Sequence, residues 1–138
     1  MKYKQSIRKI SIPSAAKITR CFPVNGKLTA RQAEVYNAVL SVHEGAIALL
    51  RPGIMLDDYH KKVGELMTEE LLKLGLITAE DVASEDPAWP AYKKYFMHGT
   101  SHYLGLVVHD YGLWTIPVEE GMVFTVEPGI YIPEEGLG

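Results

Sequence analysis

The sequence predicts an α+β chain, with an antiparallel sheet covered by helices on one face. Two observations carry that prediction. Two amphipathic helical stretches follow one another between residues 29 and 75, and strand-like runs lie on either side of them, near residue 18 and over residues 98–127. Strands at both ends with helices between them suit two layers packed around one core. A length of 138 residues is that of one domain, 1–138, and 47% hydrophobic content is ordinary for a soluble globular chain.

Residues 18–27 read as a strand and a turn leading into a helix. Thr29-Ala30-Arg31-Gln32 has the form of a capping box, in which the Thr and Gln side chains satisfy free N–H groups at a helix start. The helix should run to about Leu50, with Val35, Tyr36, Val39, Leu40 and Ile47 as its apolar face and Arg51-Pro52-Gly53 as its stop. His43, inside it, is assigned no chemistry. Asp57 or Asp58 opens a second helix, whose inner stripe is Tyr59, Val63, Leu66, Met67 and Leu71. Gly75 suits its C′ position, where the backbone turns left-handed. His60 falls on the polar face of this helix, and Glu65, Glu69 and Glu70 read as a solvated surface. Residues 77–92 form a connector, with a short helical turn near 79–84 and another opened by Pro90. Trp89 and Trp114 read as packing residues.

The chemistry is concentrated downstream. His98, His102 and His109, three of the five histidines, fall within twelve residues. On a strand, His98, Thr100 and His102 share one face, and Leu104, Leu106 and Val108 continue it. His109 then points the other way unless a bulge intervenes, and Gly99 and Gly105 are the bulge or close-approach points. A turn at Glu119-Glu120-Gly121 starts a second, buried strand, residues 122–127, which ends at Glu127 before Pro128-Gly129. A buried carboxylate requires a hydrogen-bond donor, a cation or a metal. A lone strand histidine is a satisfied core residue about three times in four. Three histidines clustered with a strand-end Glu bring a metal or catalytic site to roughly even odds. His and carboxylate donors suit zinc, manganese, cobalt or iron without choosing among them, and the spacing matches no helical zinc-protease or zinc-finger pattern.

Charge is unevenly placed. The net charge is −3, yet residues 1–33 hold eight Lys or Arg and no acid, and the remainder holds six bases and seventeen acids. A basic arm of this kind fits a nucleic-acid or membrane contact, a targeting segment, or a replaced N-terminus in residues 1–17, and the last is favoured. The acidic remainder argues against broad nucleic-acid affinity. No stretch approaches the roughly 18 uncharged apolar residues of a membrane span. The single Cys21 excludes an internal disulfide and fits a reducing compartment, so a cytoplasmic location is expected. Cys21 lies near no helix start or base and reads as an inert thiol.

Residues 98–105, 108–110 and 121–131, with residues 18–27 upstream, resemble the metallopeptidases of the pita-bread fold, specifically the Xaa-Pro aminopeptidase and prolidase branch. The resemblance covers residues 18–138. It implies two divalent metals, manganese or cobalt and possibly zinc, held by two aspartates, one histidine and two glutamates around a bridging water. It makes His102 the histidine ligand and Glu127 a glutamate ligand that also transfers protons. It makes His98 and His109 the outer histidines that bind substrate and stabilise the tetrahedral intermediate. The reaction implied is release of an N-terminal residue from a peptide with proline in second position.

The pattern is departed from in three places. Lys17 stands where the family has an aspartate before its Ile-Thr-Arg segment, residues 1–16 contain no Asp, and the last glutamate should follow Gly138. A partial catalytic domain with a truncated pita-bread fold is therefore expected, holding no metal or one weakly. A missing terminal strand should expose a sheet edge, which pairs with other chains, so a homodimer or association through that edge is expected. A non-catalytic pita-bread binding module or an inactive fragment is the alternative.

Overall fold

A computed structural model describes residues 6–7 and 17–138. Two short strands, β1 (Ser6–Ile7) and β2 (Lys17–Ile18), pair antiparallel with Ser6 opposite Ile18. Three helices follow: α1 (Ala30–Leu49), α2 (Leu56–Lys73) and α3 (Ala79–Ala83). A 3-10 turn at Ala91–Lys94 leads to the histidine segment, and another at Pro133–Glu135 lies near the end of the chain.

The expected caps form. The Thr29 hydroxyl accepts the Gln32 N–H at 3.2 Å, and the Gln32 side chain accepts the Thr29 N–H at 3.0 Å. Thr78 and Asp81 make the same reciprocal pair at the start of α3. α2 begins at Leu56, one residue before the predicted aspartates, so Asp57 and Asp58 lie in its first turn, where carboxylates favour the helix dipole. Its end is a full Schellman turn. Gly75 sits at φ +68°, its N–H reaches the Leu72 carbonyl, and the Leu76 N–H reaches the Leu71 carbonyl.

The core is the seam between α1 and α2. From α2 come Leu56, Tyr59, Val63, Met67 and Leu71, all fully buried; of the predicted stripe only Leu66 is partly exposed. α1 differs from expectation. It buries Val35, Ala38, Val42 and Ala46, while Tyr36, Leu40 and Ile47 are exposed. The predicted face ranked residues by apolar size. The observed one is set by closeness of approach, because alanines let two helices pack tightly. Ile77, Tyr95, Phe96, Val118, Ile130 and Ile132 extend the core toward the site.

The predicted sheet is not drawn as regular strands. Among the described residues only β1 and β2 are strands. Residues 100–104 and 123–127 do run antiparallel: Leu104 N–H to Val123 O, Thr125 N–H to His102 O, and Glu127 N–H to Thr100 O, at 2.7–3.0 Å. These bonds set Tyr103 opposite Phe124. After Leu104 the chain bends through residues 105–109 instead of continuing. Leu106 and Val108, expected to prolong the strand face, are therefore 85% and 61% exposed. Gly105 is a true close approach, since a Cβ there would run into the Asp110 carboxylate, whereas Gly99 has ordinary room. Trp89, expected to pack, is 57% exposed, with the Lys93 ammonium 5.4 Å from its ring centre. The Lys17 side chain, at the place of the family's aspartate, lies outside the described residues, as does most of the basic segment 1–17.

Candidate active site

The register between the two segments places Thr100 opposite Glu127 and His102 opposite Thr125. His102 and Glu127 come together across this pairing. The His102 Nδ1 lies 2.8 Å from the Tyr103 carbonyl, which can only accept, so Nδ1 carries the hydrogen. In the neutral ring, Nε2 is then a bare lone pair, 3.6 Å from Glu127 Oε1. Two electron-rich atoms at that separation repel, and a proton or a cation between them relieves the repulsion. A carbonyl that fixes the far ring nitrogen is also how metal-binding histidines are oriented.

The bend at 105–109 returns His109 to the same place. Its ring meets that of His102 edge to face, with centroids 4.5 Å apart and planes at 84°. Tyr103 holds the returning loop: its carbonyl accepts the Asp110 N–H at 3.1 Å, and its hydroxyl donates to the Leu113 carbonyl at 2.8 Å. The bend thus does what a bulge was required to do.

His98 has other partners. Its Nδ1 lies 2.8 Å from the Gly99 carbonyl and its Nε2 2.7 Å from the Tyr131 hydroxyl, which donates to it. Phe96 and Tyr131 both present their rings edge to face against it, at 4.8 and 5.4 Å. Tyr131 is anchored in turn by its N–H to the Tyr95 carbonyl at 2.9 Å.

Glu127 corrects an expectation. It was read as buried, but its side chain is 58% exposed. His60 corrects another. It is half-buried instead of lying on a polar face, it stacks on Trp114 at 6.1 Å, and its Nδ1 accepts the Thr100 N–H at 3.4 Å. Burial pushes its imidazole below the ordinary range. Neither His60 nor Tyr131 was assigned a role from the sequence. Tyr131 had a signal, four residues beyond Glu127 at the end of the family-like segment 121–131; His60 had none.

Imidazole and carboxylate are donors that zinc and other divalent first-row ions accept. Here they number two, and among the described residues no group of three His, Cys, Asp or Glu is gathered for a metal. Catalytic zinc sites use three protein ligands, so this donor set fits part of a metal centre and not a whole one. Among the described residues no helix is long and apolar enough to cross a membrane.

A helix-backed segment presents histidines and a glutamate here, and the chain belongs to metallopeptidase family M24, whose profile matches residues 14–138. Its relatives include Xaa-Pro aminopeptidases. Xaa-Pro aminopeptidase 3 of Rattus norvegicus is 44% identical over 119 residues, 85% of this chain and 23% of that protein. Xaa-Pro aminopeptidase of Escherichia coli K12 is 44% identical over 122 residues, 86% of this chain and 27% of that protein. Among solved structures, zinc-substituted E. coli aminopeptidase P in complex with product superposes with a TM-score of 0.76 at 41% identity, over 91% of this chain and 29% of that one. Pseudomonas aeruginosa aminopeptidase PepP gives 0.77 at 35% identity, over 90% and 29%. The expected pita-bread relationship therefore holds. The chain spans about a quarter of the length of the curated relatives it matches.

Proposed function

We propose that this chain carries the histidine and glutamate portion of an Xaa-Pro aminopeptidase-type site. The observation that supports this most is the His102 Nε2 to Glu127 Oε1 approach at 3.6 Å, with the far ring nitrogen fixed on a carbonyl. His102 and Glu127 hold a divalent metal, manganese or cobalt by preference, with zinc also suiting the donors. Such a metal supplies an activated water and takes up charge on a carbonyl oxygen. Glu127, exposed and beside the lone pair of His102, accepts the proton of the attacking water. His109 and His98 bind the substrate carbonyl and steady the charge that develops on it. The substrate is a peptide with proline in second position, met in the cytoplasm. Residues 100–104 and 123–127 belong to an antiparallel sheet with α1 and α2 on one face, and its open edge pairs with a second copy or another chain.

Two donors retain a metal weakly. That count among the described residues favours the second reading, a non-catalytic binding module or inactive fragment. Metal analysis after dialysis against manganese or cobalt, with cleavage of Xaa-Pro peptides measured in parallel, separates the two. The peptidase reading expects metal uptake and Xaa-Pro cleavage, both abolished in His102→Ala and in Glu127→Ala. Unchanged metal uptake in either variant would sink the assigned roles, and uptake without cleavage would leave the binding module.

A further inference from the structure

α2 touches the histidine segment at two consecutive positions. Tyr59 is fully buried, and its hydroxyl accepts a hydrogen bond from Ser101 Oγ at 3.0 Å. The next residue, His60, accepts the Thr100 N–H on Nδ1 at 3.4 Å. Thr100 and Ser101 are the two buried polar residues of the described chain, at 2% and 6% exposure, so neither backbone can turn to water for a substitute. Thr100 is also bonded on its other side: its carbonyl accepts the Glu127 N–H at 2.7 Å. One residue thus links α2 to the backbone of Glu127, with His98 two positions before it and His102 two positions after. The His60 ring is itself held, edge-on to Tyr59 at 5.4 Å and stacked on Trp114 at 6.1 Å.

We propose that His60 is a positioning residue, whose Nδ1 fixes the Thr100 peptide and through it the relative placement of His102 and Glu127. The inference rests on the reading of His102 and Glu127 as the working pair. Only a neutral ring with the hydrogen on Nε2 can accept at Nδ1. Burial of His60 lowers its affinity for a second proton and so favours that state, against the opposing pull of Asp57. Tyr59 supports the same segment one position on, and its ring fills the core while its hydroxyl holds Ser101.

Nuclear magnetic resonance of the nitrogen-labelled chain tests this without any assay of activity. In the wild-type chain His60 is expected as the Nε2–H tautomer with Nδ1 unprotonated. His60→Ala is expected to speed exchange of the Thr100 and Glu127 amides by about tenfold or more and to shift the ring nitrogens of His102. His60→Asn, whose side-chain oxygen lies where Nδ1 was, is expected to restore both. An Nδ1–H tautomer in the wild-type chain overturns the proposal, and so do unmoved His102 ring signals in a folded His60→Ala. Should His60→Ala fail to fold, the wild-type tautomer decides alone. A chain that passes these tests yet cleaves no Xaa-Pro peptide refutes the peptidase reading and leaves the positioning intact.

Discussion

The His102 N–H donates to the Thr125 hydroxyl at 3.2 Å, where a regular antiparallel ladder in this register would have it donate to the Thr125 carbonyl. The bonds on either side, Thr125 N–H to His102 O and Glu127 N–H to Thr100 O, are ordinary backbone pairs. One side-chain oxygen therefore interrupts the ladder at the residue whose ring approaches Glu127. This exchange, the diversion of the Thr100 N–H to His60 and the bend after Leu104 together leave the two segments paired without forming regular strands.

Thr125→Val removes that acceptor while keeping the shape. The His102 N–H loses its partner, and the expected cost is about 1 kcal/mol in a urea titration. On the peptidase reading, manganese uptake by calorimetry falls several-fold, because the His102 ring no longer faces Glu127. Thr125→Ser keeps the hydroxyl and should behave as wild type. Stability and uptake both unchanged in Thr125→Val would remove the hydroxyl from the account.

The seam between α1 and α2 gives a paired prediction. Leu71→Ala, at a fully buried position, is expected to cost about 2–5 kcal/mol through lost transfer energy and the cavity left behind. Leu40→Ala, at a residue 41% exposed on the outer side of α1, should stay within about 0.5 kcal/mol beyond its change in helix propensity. Equal losses in chemical denaturation would mean that α1 buries the face first expected of it.

Arg31 and Glu135 close the described chain from end to end. Two parallel bonds of 2.8 Å join the guanidinium to both carboxylate oxygens, and Arg31 also reaches Glu34 at 3.2 Å. The bonds from Arg31 hold Glu135 below the ordinary carboxylate range. The folded form thus binds a proton at Glu135 less readily than the unfolded one. Its contribution is fully present above the unfolded carboxylate value and is lost as pH falls through the lower, folded value. Unfolding midpoints followed downward from pH 6 should drop more steeply for wild type than for Glu135→Gln, and added salt should shrink the difference. Parallel curves would show that the fork contributes nothing measurable, as many exposed pairs do.

Local chemistry was the legible part of this molecule. The capping box at Thr29, the left-handed Gly75 and most of the α2 stripe are each decided within a few residues. That His102 and Glu127 belong to one site was implied by the family resemblance of their two motifs, and the two side chains do lie 3.6 Å apart. What was not legible depends on partners distant in sequence. The inner face of α1 is chosen by the closeness of α2, which favours Ala38 and Ala46 over Leu40. The fate of Leu106 and Val108 turns on a loop whose return is tied to Tyr103. His60 takes its place from a backbone N–H forty residues away, and no spacing rule records such a bond.

The tie at Tyr103 divides the candidate site into two units of opening. His102 and Glu127 stand on paired backbone, and any motion that parts them breaks several bonds at once. His109 rides on a loop whose backbone is bonded to one tyrosine, by its carbonyl to Asp110 and its hydroxyl to Leu113. Release of those two bonds would loosen the His109 loop while the backbone pairing of His102 and Glu127 stays in place, so the two parts are expected to open separately. Amide exchange at Asp110 much faster than at Thr125 is the signature of that arrangement, and equal rates would mean that the site opens as one piece.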